Sequence, residues 1–471
     1  MPSPTPRIAV LADSDTRWKW GALTARRIAP PAPGAPDITG YALRGRATPT
    51  ARQLAEAGLG TPREVTGAEF LRAVRDEAYD VVVLALVGGT VQALLHGLAA
   101  RAGARRPVVV TGYVGVVYEK LADGLLLRHG ADVVLANSRY DARRFRAVYE
   151  GVGADPSAVV EARLPFLGGA PHRPVPGRHT VVFAAQPSVP AARADRLYLL
   201  RRLAGHARLH PEREVLLKLR SRPGEHTTHI EELPYQKLAR ALPLPPNLRL
   251  VYGHMGAVLD RTDLLVTVSS TAALEALHRG VPTAVLTDLG VREALGNHHF
   301  IGSGLLTSWD RLDAGEEPVP DGAWLADQGV DPAGEAHTGG APAPDEAHRD
   351  AAHRDAAPGA DGAHWDTAHQ GAEPALDAAF AQVRRRVAEL LERGSLPPIA
   401  PYYTRTSAPG YLPGILARHR LDEADATAAP GGRGARGVRR VLRDAARGAA
   451  RGAYRHGVQH VAPVIRRLGE L

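Results

Sequence analysis

The chain has 471 residues, enough for two or three domains each with its own core. Apolar residues make up 44% but aromatic ones only 5%, so that core is built mainly of Ala, Val and Leu. It has no cysteine, which excludes disulfides, thiolate metal sites and a cysteine nucleophile, and fits a cytoplasmic setting. The formal charge of +8 invites a nucleic-acid reading, but nine Arg against Asp444 and Glu470 lie between Arg436 and Leu471. The body is therefore close to neutral. It shows no base-reading pattern, and no nucleic-acid partner is expected.

The N-terminal segment MPSPTPRIAV lacks the sections of a signal peptide. RIAVLA (7–12) then predicts a first strand, ending at Asp13-Ser14-Asp15 before a helix from Thr16. The uncharged stretch 81–100 reads as a buried strand, a turn at Gly88-Gly89 and a helix; its glycines, Gln92 and His96 speak against a membrane span. PVVVTG from Pro107 and DVVLANS from Asp132 add two further strands. Val-rich strands alternating with helices predict a parallel sheet covered on both faces, over residues 1–167.

The Pro/Gly-rich segment 168–179 reads as a linker, after which the pattern restarts. TVVFAAQ, EVLLKLR, LRLVYG, DLLVTVSS and VPTAVLTD are the strand signals of a second domain over 180–330. The predicted class is thus α/β, with two Rossmann-like domains facing a cleft. Residues 331–372 are rich in Ala, Gly, Pro, Asp and His and predict a disordered insert. Its five histidines lack anything to fix ligand geometry, so no metal site is expected. Helical pattern returns at 375–393, and a Tyr/Pro segment at 397–413 completes a C-terminal packing segment (373–420). The basic tail (421–471) reads either as an amphipathic helix peripheral to anionic membrane or as a solvated end.

Residues 263–293 carry the strongest chemical signal. A buried strand ends at Ser269-Ser270-Thr271, where a helix begins. Free N–H groups, the helix dipole and small hydroxyls together suit a phosphate. Glu275 follows one turn later on the same face, placed to accept ribose hydroxyls. Strand EVLLKLR leads into Lys218, Arg220, Arg222, Glu225, His226 and His229. Only four of the 58 basic residues are lysines (Lys19, Lys120, Lys218 and Lys237), so a lysine at this strand end suggests a point-charge phosphate ligand.

The segment SSTAALEALHRGVPTAVL resembles the donor-binding segment of GT-B-fold glycosyltransferases. Its hydroxyl-rich form is similar to that of bacterial sialyltransferase-like, capsule-polysaccharide and CDP-glycerol-type transferases. The chain to about Val330 also resembles uncharacterised glycosyltransferases. This resemblance implies a nucleotide-sugar donor as co-substrate, no cofactor or metal, and a glycan or lipid-linked acceptor. Donor phosphate would lie on Ser269, Ser270 and Thr271 and the ribose on Glu275, with Lys218, Arg220, Arg222 or His229 alongside. Retaining members carry a second Glu seven residues earlier; Val268 stands there, which favours inversion. A catalytic base is expected from Asp13 or Asp15, whose alternative is helix capping. Gly88, Gly89, Tyr113 and Tyr118 are expected at the acceptor side of the cleft. The rival readings are a nucleotide-sugar 2-epimerase, a glycerophosphotransferase, and a non-catalytic binding protein on the same fold.

Overall fold

The computed structural model describes residues 6–29, 36–45, 47–101, 106–116, 120–222, 225, 233–330 and 373–421. Tyr118, His229, the insert 331–372 and the tail beyond Leu421 lie outside them.

The first sheet contains β1 (Arg7–Ala12), β2 (Asp37–Leu43), β3 (Arg63–Val65), β4 (Val81–Ala85), β5 (Val108–Gly112), β6 (Val133–Ala136) and β7 (Val159–Glu161). All are parallel, in the order β3-β2-β1-β4-β5-β6-β7. Its helices are α1 (Asp15–Ile28), α2 (Ala51–Ala57), α3 (Gly67–Asp76), α4 (Gly88–Ala99), α5 (Leu121–Leu126) and α6 (Arg139–Gly151). The strands are apolar on both faces because each face meets a helical layer. Ala9, Leu11, Val82, Leu84 and Val109 face one core, while Ile8, Val10, Val81, Val83 and Val110 face the other.

The second sheet repeats this plan with β8 (Thr180–Ala184), β9 (Glu214–Lys218), β10 (Leu248–Val251), β11 (Leu264–Thr267), β12 (Thr283–Leu286) and β13 (Leu306–Thr307). Its order is β10-β9-β8-β11-β12-β13, again parallel. The helices here are α7 (Arg193–Leu209), α8 (Tyr235–Ala239), α9 (Met255–Leu259), α10 (Ala272–His278), α11 (Trp309–Asp313) and α12 (Gly322–Asp327). Strand order in each sheet reverses beside its first strand (β1 and β8), and the crevice at the strands' carboxyl ends is where such sheets bind ligands.

The chain then returns to the first sheet. A break at Phe380 divides the expected helix 375–393 into α13 (Glu373–Ala379) and α14 (Ala381–Glu392). Phe380, Val383, Val387 and Leu390 recur at helical spacing and enter the core beneath α1. The last helix, α15 (Leu412–Arg418), packs against α4 through Leu412, Ile415 and Leu416. The Tyr/Pro segment before it is fixed by Gln92 and His96, both bonded to the Tyr403 carbonyl, so His96 is a packing residue. Among the described residues, no helix is long and apolar enough to cross a membrane.

Candidate functional site

The carboxyl ends of both sheets border one cleft of about 540 Å³. From the first sheet come the start of α1, part of α2 and the loop after β5. From the second come the segments after β8, β9, β10 and β11, with the short 3-10 turn Glu293–Leu295 closing one side.

Ser14 caps α1, its hydroxyl accepting from the Arg17 N–H at 3.5 Å. The two acids flanking it take different directions. Asp13 does not line the cleft: its carboxylate accepts from the Val87 N–H at 3.1 Å and from Arg17 at 3.0 Å, tying α1 to the β4–α4 turn. Asp15 does line it and meets Arg220, from the end of β9, at 2.7 Å. The same guanidinium donates to Thr16 Oγ1 at 2.6 Å. Burial opposes a charge on Asp15, but Arg220 outweighs it and holds the carboxyl below the usual range.

On the opposite wall, Lys218 ends β9 and is 8% exposed, with its ammonium donating to the Leu219 carbonyl at 2.8 Å. Burial pulls it down to about 8, against the pull of Glu56 and Glu275, while Arg220 and Arg52 add to the fall. Glu275 sits on the buried face of α10, also 8% exposed. Lys19, on α1, reaches across from the first lobe. Its ammonium lies 3.1 Å from His254 Nε2 and 3.9 Å from Glu275, and it rests over the Phe166 ring. The charged side chains lining the cleft are thus Arg17, Lys19, Arg128, Lys218 and Arg220 against Asp15, Glu56, Glu275 and Glu293.

The hydroxyl turn after β11 divides its labour. Ser269 donates to the Leu295 carbonyl at 2.5 Å, and its N–H donates to Gln186 Oε1 at 3.0 Å, so it braces the wall. Ser270 Oγ accepts from the Ala272 N–H at 3.2 Å. Thr271 makes no capping bond; its hydroxyl faces Gly115 of the first lobe so closely that a Cβ there would lie 2.9 Å from Oγ1. Asn137 fixes that facing loop by donating to the carbonyls of Tyr113 and Gly115.

Of the other expected site residues, Tyr113 lines the cleft, but its hydroxyl is turned inward beside Gly124 and Arg128 lies over its ring at 3.9 Å. Burial raises that phenol. Arg222 is exposed, outside the cleft, and stacked on Tyr252. Gly88 and Gly89 also lie outside it: a Cβ on Gly88 would crowd Leu127 and Arg128, and one on Gly89 would crowd Ile415. These two glycines serve packing between α4 and its neighbours, a correction to their expected place beside an acceptor. Lys19, His254 and Glu56 were not expected in the cleft. The scarcity of lysine marks Lys19 as much as Lys218, but nothing local in the sequence points to the other two.

Several solved structures are similar in fold, all at low identity. They include MnaA of S. aureus solved with UDP (12% identity, TM-score 0.45, covering 66% of this chain and 87% of that one). The UDP-GlcNAc 2-epimerase of Methanocaldococcus jannaschii, solved with UDP-GlcNAc and UDP, is 10% identical at a TM-score of 0.42 (65% and 90% covered). The glycosyltransferase SnogD of Streptomyces nogalater is 15% identical at 0.35 (82% and 96% covered). No curated protein matches the sequence. A family model described as "Putative glycosyltransferase (DUF6716)" matches residues 8–341, well over half of the chain, and the chain belongs to that family.

Proposed function

We propose that the protein transfers a hexosyl group from a nucleoside diphosphate sugar held in this cleft to an acceptor hydroxyl. The observation that carries the reading is the meeting of Lys19, Lys218 and Arg220 beside Glu275 and the uncommitted Thr271 hydroxyl. Three cations match a diphosphate better than the single phosphate of a CMP-linked sugar, and Glu275 can accept both ribose hydroxyls.

Asp15 serves as the base. Arg220 keeps it ionised and weakly basic. A diphosphate competes for the same guanidinium, and a carboxylate relieved of its cation regains proton affinity. The acceptor oxygen then attacks the anomeric carbon while its proton passes to Asp15. The bond from that carbon to the phosphate oxygen breaks, and its electron pair leaves on the diphosphate, offset by Lys218, Lys19 and Arg220. Donor binding thereby prepares the base that uses it.

Calorimetric titration with UDP, GDP, CDP and CMP tests the reading. One diphosphate is expected to bind at least about tenfold more tightly than CMP, and Glu275→Ala to weaken that nucleotide by about tenfold or more without lowering the melting temperature. Binding of none of the four would overturn the proposal. Product analysis separates transfer from epimerisation, since an epimerase turns over without an acceptor.

A further inference from the structure

A second cluster of ligand-type side chains lies away from the cleft. Helix α7 follows β8 and leads back to the start of β9, so its last turn stands at the amino ends of the second sheet's strands. There His206, in the last turn of α7, and His210, the residue that caps its end, have ring centroids 4.6 Å apart. Asp313, the last residue of α11, meets them with Oδ1 at 2.7 Å from His206 Nδ1. One ligand atom from each of the three lies within 4.8 Å of the others.

Three features distinguish this cluster from an incidental hydrogen bond. His206 is fully buried beneath Trp309, with Nδ1 toward Asp313 and Nε2 toward Arg213. His210 Nε2 is buried and has no hydrogen-bond partner among the described residues. Arg202 holds Asp313 Oδ2 at 3.0 Å, fixing the carboxylate with Oδ1 toward the imidazoles, as outer-shell partners do for metal ligands.

From this geometry we infer that His206, His210 and Asp313 form a site for a divalent cation of the zinc type, joining α11 to the end of α7. Two imidazoles and a carboxylate are a zinc donor set, with a fourth tetrahedral position left for water. The surrounding charges are Asp310, Glu212 and Asp313 against Arg202 and Arg213. Arg213, a donor only, faces His206 Nε2 at 3.4 Å, which places the ring proton on Nδ1, toward Asp313. When a cation takes the place between Nδ1 and Oδ1, that proton passes to Nε2. Arg213 then turns to Glu212, already 3.6 Å from its Nε. His210 contributes its unpartnered Nε2, and no proton need leave the protein.

The test uses full-length protein stripped with a chelator and titrated with Zn²⁺, followed by calorimetry, thermal unfolding and, with Co²⁺, visible absorption. The histidines of 331–372 also take zinc in principle, so wild type is compared with His210→Gln and Asp313→Asn. Each variant is expected to lose one Zn²⁺ equivalent or weaken it at least about tenfold. The Zn²⁺-dependent rise in melting temperature and the tetrahedral Co²⁺ spectrum should go with it. Equal stoichiometry, affinity and thermal response in wild type and His210→Gln would overturn the assignment, as would the absence of saturable binding in wild type. His210→Gln is the milder change because that ring is partly exposed, and circular dichroism confirms folding. Its nucleotide affinity should match wild type, so this test stands apart from that of the cleft.

Discussion

Two turns in this molecule look alike in sequence and behave differently. Asp13-Ser14-Asp15 follows the first strand of one sheet, and Ser269-Ser270-Thr271 follows the fourth strand of the other. In both, the first residue is drawn inward: Asp13 to Val87 and Arg17, Ser269 to Leu295 and Gln186. In both, the last faces the cleft, and Asp15 and Thr271 each meet the opposite lobe. The middle residues cap locally. Polar residues at a strand's end thus divide into one that builds the turn and one that the turn presents. The cleft's chemistry depends on the second kind.

The sharpest way to break this comparison is to substitute the two aspartates separately. Asp15→Asn is expected to lower kcat by roughly 10²–10⁴-fold, the usual share of a general base. The melting temperature should barely move, because its pair with Arg220 is partly solvated and such pairs contribute little. Asp13→Asn should do the reverse, costing about 1–3 kcal/mol through the bonds to Val87 and Arg17 and leaving kcat per folded molecule nearly intact. Steady-state kinetics with thermal unfolding decide it; equal kinetic losses would erase the distinction.

The same contrast shows how much could be read from the sequence. Runs such as VVVLA and VVVTG are legible as strands because nothing else buries β-branched residues on both faces. The edge strands β3 and β7, REV and VVE, are too short and too charged to stand out. Thr271, Glu275, Lys218 and Asp15 follow from the rule that parallel sheets bind at their carboxyl ends. That rule does not separate Asp13 from Asp15, or Arg220 from Arg222, since the chain leaves its strand within those two residues and alternation no longer applies. Lys19 and His254 stand 235 positions apart and meet only when the lobes pack, so no local pattern pairs them.

Lys218 extends the contrast to the sheet interior, as a buried lysine whose charge opposes folding and whose proposed role is to bind the donor. Its folded value, about 8, lies below the unfolded lysine's, so the unfolded chain binds more protons between about 8 and 10.5. The penalty is therefore full at neutral pH and disappears as pH rises through that window. Lys218→Met is expected to stabilise the protein at pH 7, on the order of 1–3 kcal/mol, while weakening diphosphate binding by about 10–100-fold. Wild-type affinity should also decline as pH rises through about 8, and the variant's should not. Calorimetry and thermal unfolding at pH 7 and 9 measure both; a Lys218→Met protein less stable at pH 7 would contradict the account.

The smallest expected effect tests whether the presented residues depend on one another across the cleft. Gly115→Ala would bring a Cβ to 2.9 Å from Thr271 Oγ1, closer than real Cβ contacts allow, and Asn137 keeps the glycine's loop from yielding. The hydroxyl must then rotate or the lobes part by a few tenths of an ångström, so nucleotide affinity should fall about three- to tenfold. Thr271→Ala removes the clash together with the hydroxyl's proposed bond to phosphate and should cost about tenfold. In that background Gly115→Ala should be silent, because the atom it meets is gone. Non-additivity of this kind is the mark of direct contact in a double-mutant cycle measured by calorimetry. Additive losses would mean that Gly115 acts elsewhere and that the two walls of the cleft are independent.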